Sequence, residues 1–170
     1  MEHLQYPIGR FKAPKNCNRL SEWLKDIAEF LSLISQTTEK LSSQVLSKTY
    51  RPQGWNIAQV VHHCADSHMN SFMRTKLALT EEHPAIRPYF EDRWAELIDG
   101  KEFEMLDSLL LIRALHSKWI KLLQSLSDQD LEKTFLHPEH GAVFTLGENI
   151  AFYSWHCKHH LAHINLALNA

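Results

Sequence analysis

A chain of 170 residues with 44% apolar and 22% charged side chains is long enough to bury a core without disulfide help, as one domain spanning 1–170. Its 18 basic and 20 acidic side chains leave a formal charge of −2 with no basic stripe, which argues against nucleic acid as a partner. No apolar run approaches the length of a bilayer span, so no membrane role of that kind is expected.

The opening stretch MEHLQYPIGRFKAP lacks the basic-then-apolar order of a signal peptide. Cys17, Cys64 and Cys157 form neither a CxxC pair nor an even framework, and the expected setting is the reducing cytoplasm. Residues 19–43 carry Leu20, Trp23, Leu24, Ile27, Phe30, Leu31 and Ile34 at helical spacing, with Asn18 as the expected N-cap. After the breaker RPQGW, residues 56–79 start a second helix at Asn56, with Ile57, Val60, Val61, Cys64, Ala65 and Phe72 on one arc.

The link 80–103 is longer than a helical hairpin requires and includes a short helix around 91–98. Its length lets the chain cross the whole bundle, which would make the second and third helices parallel neighbours. Residues 104–126 form the third helix through Leu106, Leu109, Leu110, Ile112, Trp119, Ile120 and Leu123. The link 127–144 is expected to run over the surface. Residues 145–168 open with Thr145 and Glu148 in the Ser/Thr-x-x-Glu capping box of a fourth helix. No alternating run argues for a sheet of any size, so the fold class is all-α, a four-helix bundle.

The last helix holds YSWHCKHHLAH, residues 153–163. At about 100° per residue, His156, His160 and His163 share a narrow arc and His159 lies at its edge. An i, i+4 histidine pair lets two imidazoles reach one ion, but the segment lacks the His-Glu-x-x-His motif of metalloproteases. A hydrogen-bonded or hydrated histidine face is the other reading. The second helix contributes His62, His63 and His68 in VVHHCADSHMN, with Gln59, His63, Asp66 and Asn70 on one polar stripe. That stripe either faces water or lines a pocket in which His63 adds an imidazole and Asp66 orients a histidine or accepts a proton. Three neutral imidazoles on a divalent ion would keep a coordination position open, suited to hydrolysis or to attack by a bound thiolate. Spacing alone leaves these alternatives standing.

Four blocks, YPIG (6–9), GWNIAQVVHHCADSHMNS (54–71), LTEEHPAIRPY (79–89) and YSWHCKHHLAHI (153–164), closely resemble the YfiT-type members of the DinB superfamily. The likeness runs in order across nearly the whole chain. It implies a compact bundle, commonly homodimeric, that binds one divalent metal ion per chain, zinc or nickel, through His63, His156 and His160. It also implies a metal-dependent hydrolase acting on a small molecule. Related members are similar to thiol S-transferases that conjugate a low-molecular-weight thiol to electrophiles, which is the alternative activity. A non-catalytic metal-binding stress protein is the rival from another class.

Beside the expected ligands, Asp66 and Asn70 are the candidate catalytic neighbours. His62 and His163 are read as hydrogen-bonded neighbours, and His159 as a rim residue. The loop 80–89 is expected to cover the metal, with Arg87 meeting either a substrate anion or Glu81 and Glu82. Where relatives carry leucine before the ADS segment this chain has Cys64, read as a core residue because it lies on the apolar arc. Tyr153 and Trp155 are read as packing residues, and Trp55 as a staple at the helix entry.

Overall fold

The computed structural model describes residues 2–139 and 141–170. Its elements in chain order are α1 (Glu2–Gln5), α2 (Leu20–Thr38), α3 (Ser43–Leu46), α4 (Ile57–Thr80), α5 (Glu91–Trp94) and α6 (Ile98–Lys101), then α7 (Leu106–Gln124), α8 (Asp128–Leu131), β1 (Thr134–His137), β2 (Ala142–Thr145) and α9 (Leu146–Leu168). Four long helices, α2, α4, α7 and α9, form the bundle. Each of α2 and α4 packs on both α7 and α9.

The side-chain pairs fix the directions. His62 meets Ser108 and the Trp119 indole donates to Thr75, so α4 and α7 run parallel, as the long link between them predicts. Asn149 donates to Ser71 near the start of α9 while His63 meets His156 further on, so α9 runs against α4. Ser154 donates to Asp26 and Lys158 reaches Glu22, so α9 also runs against α2. Three helices therefore share one direction and α9 opposes them. This arrangement needs a second crossover besides 81–105, and residues 39–56, which include α3, provide it. Only the link from α7 to α9 stays at one end.

Helix starts follow local chemistry. Asn56 accepts from the Gln59 amide while the Gln59 side chain accepts from the Asn56 amide, and Thr145 and Glu148 make the same reciprocal pair on α9. The first long helix departs from expectation at both ends. Asn18 does not cap it; its amide turns back to the Asn16 side chain, and α2 begins at Leu20. It stops at Thr38, because Ser42 caps the separate turn α3. The helix expected around 91–98 is two single turns, α5 and α6.

The link 127–144 contains a small hairpin that the sequence did not signal, with Thr134 opposite Thr145 and Phe135 opposite Phe144. Ala85 from the crossover pairs alongside Leu136, fastening the loop 80–89 to this end of the bundle. The core is a continuous cluster that includes Ile27, Phe30, Ile34, Val61, Ile112, Trp119, Leu123 and Ile150. Cys64 is fully buried within it, as its place on the apolar arc predicts. No described helix is long and apolar enough to cross a membrane.

Candidate metal centre

Capping sets where α4 and α9 begin, and antiparallel packing then brings the second turn of α4 against the middle of α9. His63 projects from α4; His156 and His160 project from α9 one turn apart. One ring nitrogen from each lies within 4.8 Å of the other two, and all three side chains are buried. The Nε2 atoms of His63 and His156 are 3.3 Å apart. Two imidazole nitrogens on one tetrahedral ion stand about 3.3 Å apart, given bonds near 2.0–2.1 Å. The His63–His156 pair therefore already stands at the spacing of two ligands on one divalent ion, with the His160 nitrogen within 4.8 Å of both.

Burial also keeps the rings in the ligating state. It pushes the His63 pKa down to about 3, with the nearby His163 adding to the effect. His156 and His160 are driven well below the ordinary imidazole range, first by burial and then by neighbouring histidines. Neutral imidazoles with free lone pairs are what a cation requires.

Around the three lies more imidazole. His156 Nδ1 stands 3.1 Å from His68 Nε2, His68 Nδ1 is 2.7 Å from His116 Nε2, and His116 Nδ1 donates to the Ile27 carbonyl at 2.9 Å. On the other side His160 Nδ1 is 3.4 Å from His163 Nδ1, and His163 Nε2 donates to the Gln5 carbonyl at 3.1 Å. The Ser67 hydroxyl lies 3.4 Å from His156 Nε2, and the Tyr153 hydroxyl donates to the Ser67 carbonyl. His159 stacks on Trp155 and lies outside the three-nitrogen group.

Two cavities, of about 430 and 360 Å³, share Glu91, Asp92, Phe152 and His156 as walls. The first is lined by Ser67, Arg74, Tyr89 and Tyr153, and the second by all three histidines with Tyr50, Arg51 and Trp55. Trp55 thus does more than guide the helix entry: its ring packs on His63 at a centroid distance of 4.6 Å. From the loop 80–89, Tyr89 lines the first cavity, while Arg87 is exposed and forms no part of either wall.

The candidate catalytic neighbours fall elsewhere. Asp66 lines a separate cleft with His62, Asp99 and Glu102, where burial and then Asp99 push its carboxyl up to about 6. Three residues beyond His63 carry the side chain round to the α6 side, whereas four carry Ser67 back to the histidines. Asn70 is two turns further along, and its amide donates to the Asp66 carbonyl. Neither lines the cavities against the three histidines. His62 is hydrogen-bonded to Ser108 and Glu102, and His163 to Gln5 and His160, as neighbours rather than members of the group.

The carboxylates that border both cavities are Glu91 and Asp92, at the start of α5, and Glu139 lines the first. Glu91 is exposed as a whole residue, but the protein around its carboxyl in the cavity wall partly desolvates it, and this, followed by Asp92 and Glu139, raises its pKa. The sequence reading missed Glu91 and Asp92, since nothing in YFEDRW shows that the crossover returns over the histidines. His68 and His116 were also missed as partners of the site. The signal for His116 was a histidine in the apolar series Leu109, Ile112, Trp119, Leu123.

Residues 27–164 match the DinB superfamily. A protein of Oceanobacillus iheyensis, named provisionally as a metal-dependent hydrolase, is 47% identical over 162 residues, covering 94% of this chain and 93% of the relative. YfiT of Bacillus subtilis, given the same provisional name, is 43% identical over 164 residues, covering 95% and 92%. The solved structure of YfiT, described as having an unusual four-helix bundle topology, superposes with a TM-score of 0.92 at 42% identity, covering 96% of this chain and 94% of that one.

Proposed function

The chain belongs to the DinB superfamily, and from that premise we propose that it is a metal-dependent hydrolase of a small molecule, with His63, His156 and His160 holding one divalent ion, zinc or nickel. The observation that carries the reading is the convergence of three buried, neutral imidazoles with no fourth histidine, cysteine or carboxylate donor among the described residues. A structural ion is ordinarily held by four protein ligands, so a three-ligand site speaks for chemistry over scaffolding, and against the non-catalytic stress protein.

A divalent ion bound there supplies Lewis acidity that polarises a substrate carbonyl or phosphoryl oxygen and activates water. The remaining work falls to this chain's own side chains. Glu91, with its raised pKa, is the group suited to take a proton from water and return it to a leaving group. Arg74 in the first cavity and Arg51 in the second are suited to orient an anionic substrate. Phe152 and Trp155 narrow access of bulk water to the histidines.

Thiol S-transfer is the second reading, favoured by one observation: two cavities sharing His156 have room for two reactants. The test is to offer the zinc-loaded and nickel-loaded protein ester, amide and phosphate substrates, and separately a low-molecular-weight thiol with an electrophile. Hydrolysis abolished by chelation supports the first reading. Turnover only in the presence of thiol replaces it with the second, and neither activity returns the chain to a binding role.

A further inference from the structure

We propose that His116, His68 and His163 are positioning residues that set the ring tautomers of His156 and His160, leaving both Nε2 lone pairs bare for the ion. The direction of every hydrogen bond follows from two backbone carbonyls. A carbonyl only accepts, so the hydrogen of His116 is on Nδ1, facing Ile27 at 2.9 Å. A neutral imidazole carries one ring hydrogen, so His116 Nε2 is an acceptor. The 2.7 Å contact then requires the hydrogen of His68 on its Nδ1. His68 Nε2 becomes an acceptor in turn, and the 3.1 Å contact places the hydrogen of His156 on Nδ1. His156 Nε2 is left without one.

The second relay is shorter. The Gln5 carbonyl accepts from His163 Nε2 at 3.1 Å, so His163 Nδ1 is an acceptor and draws the hydrogen of His160 to Nδ1. His160 Nε2 is again bare. An imidazole free in water prefers its hydrogen on Nε2, which here would fill the space where the three rings converge. The relays reverse that preference before any ion arrives. The first relay sits in dry surroundings: His68 is wholly buried, its ring centroid 5.2 Å from that of Phe30, and the His68 and His116 rings lie nearly coplanar, edge to edge about their shared bond, with centroids 4.9 Å apart. Reversing either relay would aim a nitrogen lone pair at a carbonyl oxygen, a buried one in the case of Ile27, leaving two acceptors facing each other with no hydrogen between them.

Through these bonds the ligand helix α9 is tied to α1, α2, α4 and α7, so ion affinity becomes a property of residues deep in the bundle. This kind of support typically changes metal affinity by about 10–100-fold. The inference rests on the three-histidine site proposed above, but the two can fail separately, because hydrogen positions are readable without metal.

The experiment is nitrogen-detected NMR of the histidine rings in the metal-free protein, joined to zinc titration of His116→Phe, His116→Gln and His163→Phe. The relay requires hydrogen on Nδ1 of His116, His68, His156 and His160, and on Nε2 of His163. Glutamine can donate to Ile27 and accept from His68, so His116→Gln should stay within a few-fold of wild type in zinc affinity. His116→Phe and His163→Phe should each bind zinc about 10–100-fold more weakly. Hydrogen on Nε2 of His156 or His68 in the wild type overturns the proposal. So does a folded His116→Phe with wild-type affinity, or a His116→Gln as weak as His116→Phe. If His116→Phe does not fold, the wild-type ring spectrum and His116→Gln still decide. A wild-type protein that takes up no zinc defeats the site, while the hydrogen positions continue to test the relay.

Discussion

His63 and His156 are separated by 93 positions in the chain, yet their Nε2 atoms stand 3.3 Å apart between α4 and α9. At that spacing the two rings can share an N–H···N hydrogen bond while no ion is bound, and among the described residues the Ser67 hydroxyl lies 3.4 Å from the same His156 nitrogen. The expected outcome of metal analysis on protein purified without an affinity tag is about one equivalent of divalent ion, from three ligands and one site. His63→Ala and His156→Ala should each carry much less, since either leaves only two imidazoles. Full occupancy in both variants would sink the three-histidine site.

Glu91 is the carboxylate to test for proton transfer. It borders both cavities, and its raised pKa brings it closer to neutral pH than an ordinary glutamate. Glu91→Gln keeps the shape and removes the base, so kcat should fall by about 100-fold or more while bound metal stays unchanged. Asp66→Asn should leave kcat near wild type, because Asp66 lines a different cleft. The opposite pattern would return the catalytic role to Asp66.

The fold was legible where the signal is local. Helical spacing, the Asn56 cap, the Thr145–Glu148 capping box and the length of the 80–103 link together point to four helices with α4 and α7 parallel. The group of three histidines was legible as well, through the resemblance, because its members lie in quoted blocks. What stayed hidden depends on which way a side chain leans once helices pack. Asp66 and Ser67 are adjacent in sequence, but one turns to α6 and the other to His156. His68 and His116 looked like polar interruptions of apolar arcs until they faced each other. Glu91 and Asp92 reach the site through a crossover whose path no periodicity records.

Thr145 fixes the start of the helix that carries His156 and His160. Its hydroxyl accepts from the Glu148 amide at 3.0 Å, and Glu148 accepts from the Thr145 amide at 2.9 Å. Thr145→Ala removes one half of this exchange and should cost about 1 kcal/mol, seen as a fall in Tm of roughly 2–4 °C for a domain of this size. Zinc affinity should be unaffected, since the cap lies about three turns from His156. A loss of affinity at unchanged Tm would mean that the cap places the ligands rather than simply stabilising the helix.

Stability of the metal-free protein should fall on the acid side of neutrality. Burial holds His116 down to about 4, against the opposing effect of its bond to the Ile27 carbonyl, whereas an unfolded histidine titrates near 6.5. Between those values the unfolded chain binds a proton that the folded chain does not. Stability is therefore complete above about pH 6.5 and declines as the pH falls toward 4. A gap of roughly two and a half pH units corresponds to about 3 kcal/mol from this one residue. His163, held down to about 4, and His63 and His159, held down to about 3, act in the same direction. Urea unfolding in the presence of chelator should show a midpoint that drops steadily from about pH 7 to about pH 5. His116→Phe should make the slope shallower, because one of the contributing imidazoles is gone. A midpoint that stays flat across this window would mean that the buried histidines are already protonated in the folded chain, which the Ile27 and Gln5 relays could not accommodate without breaking their direction.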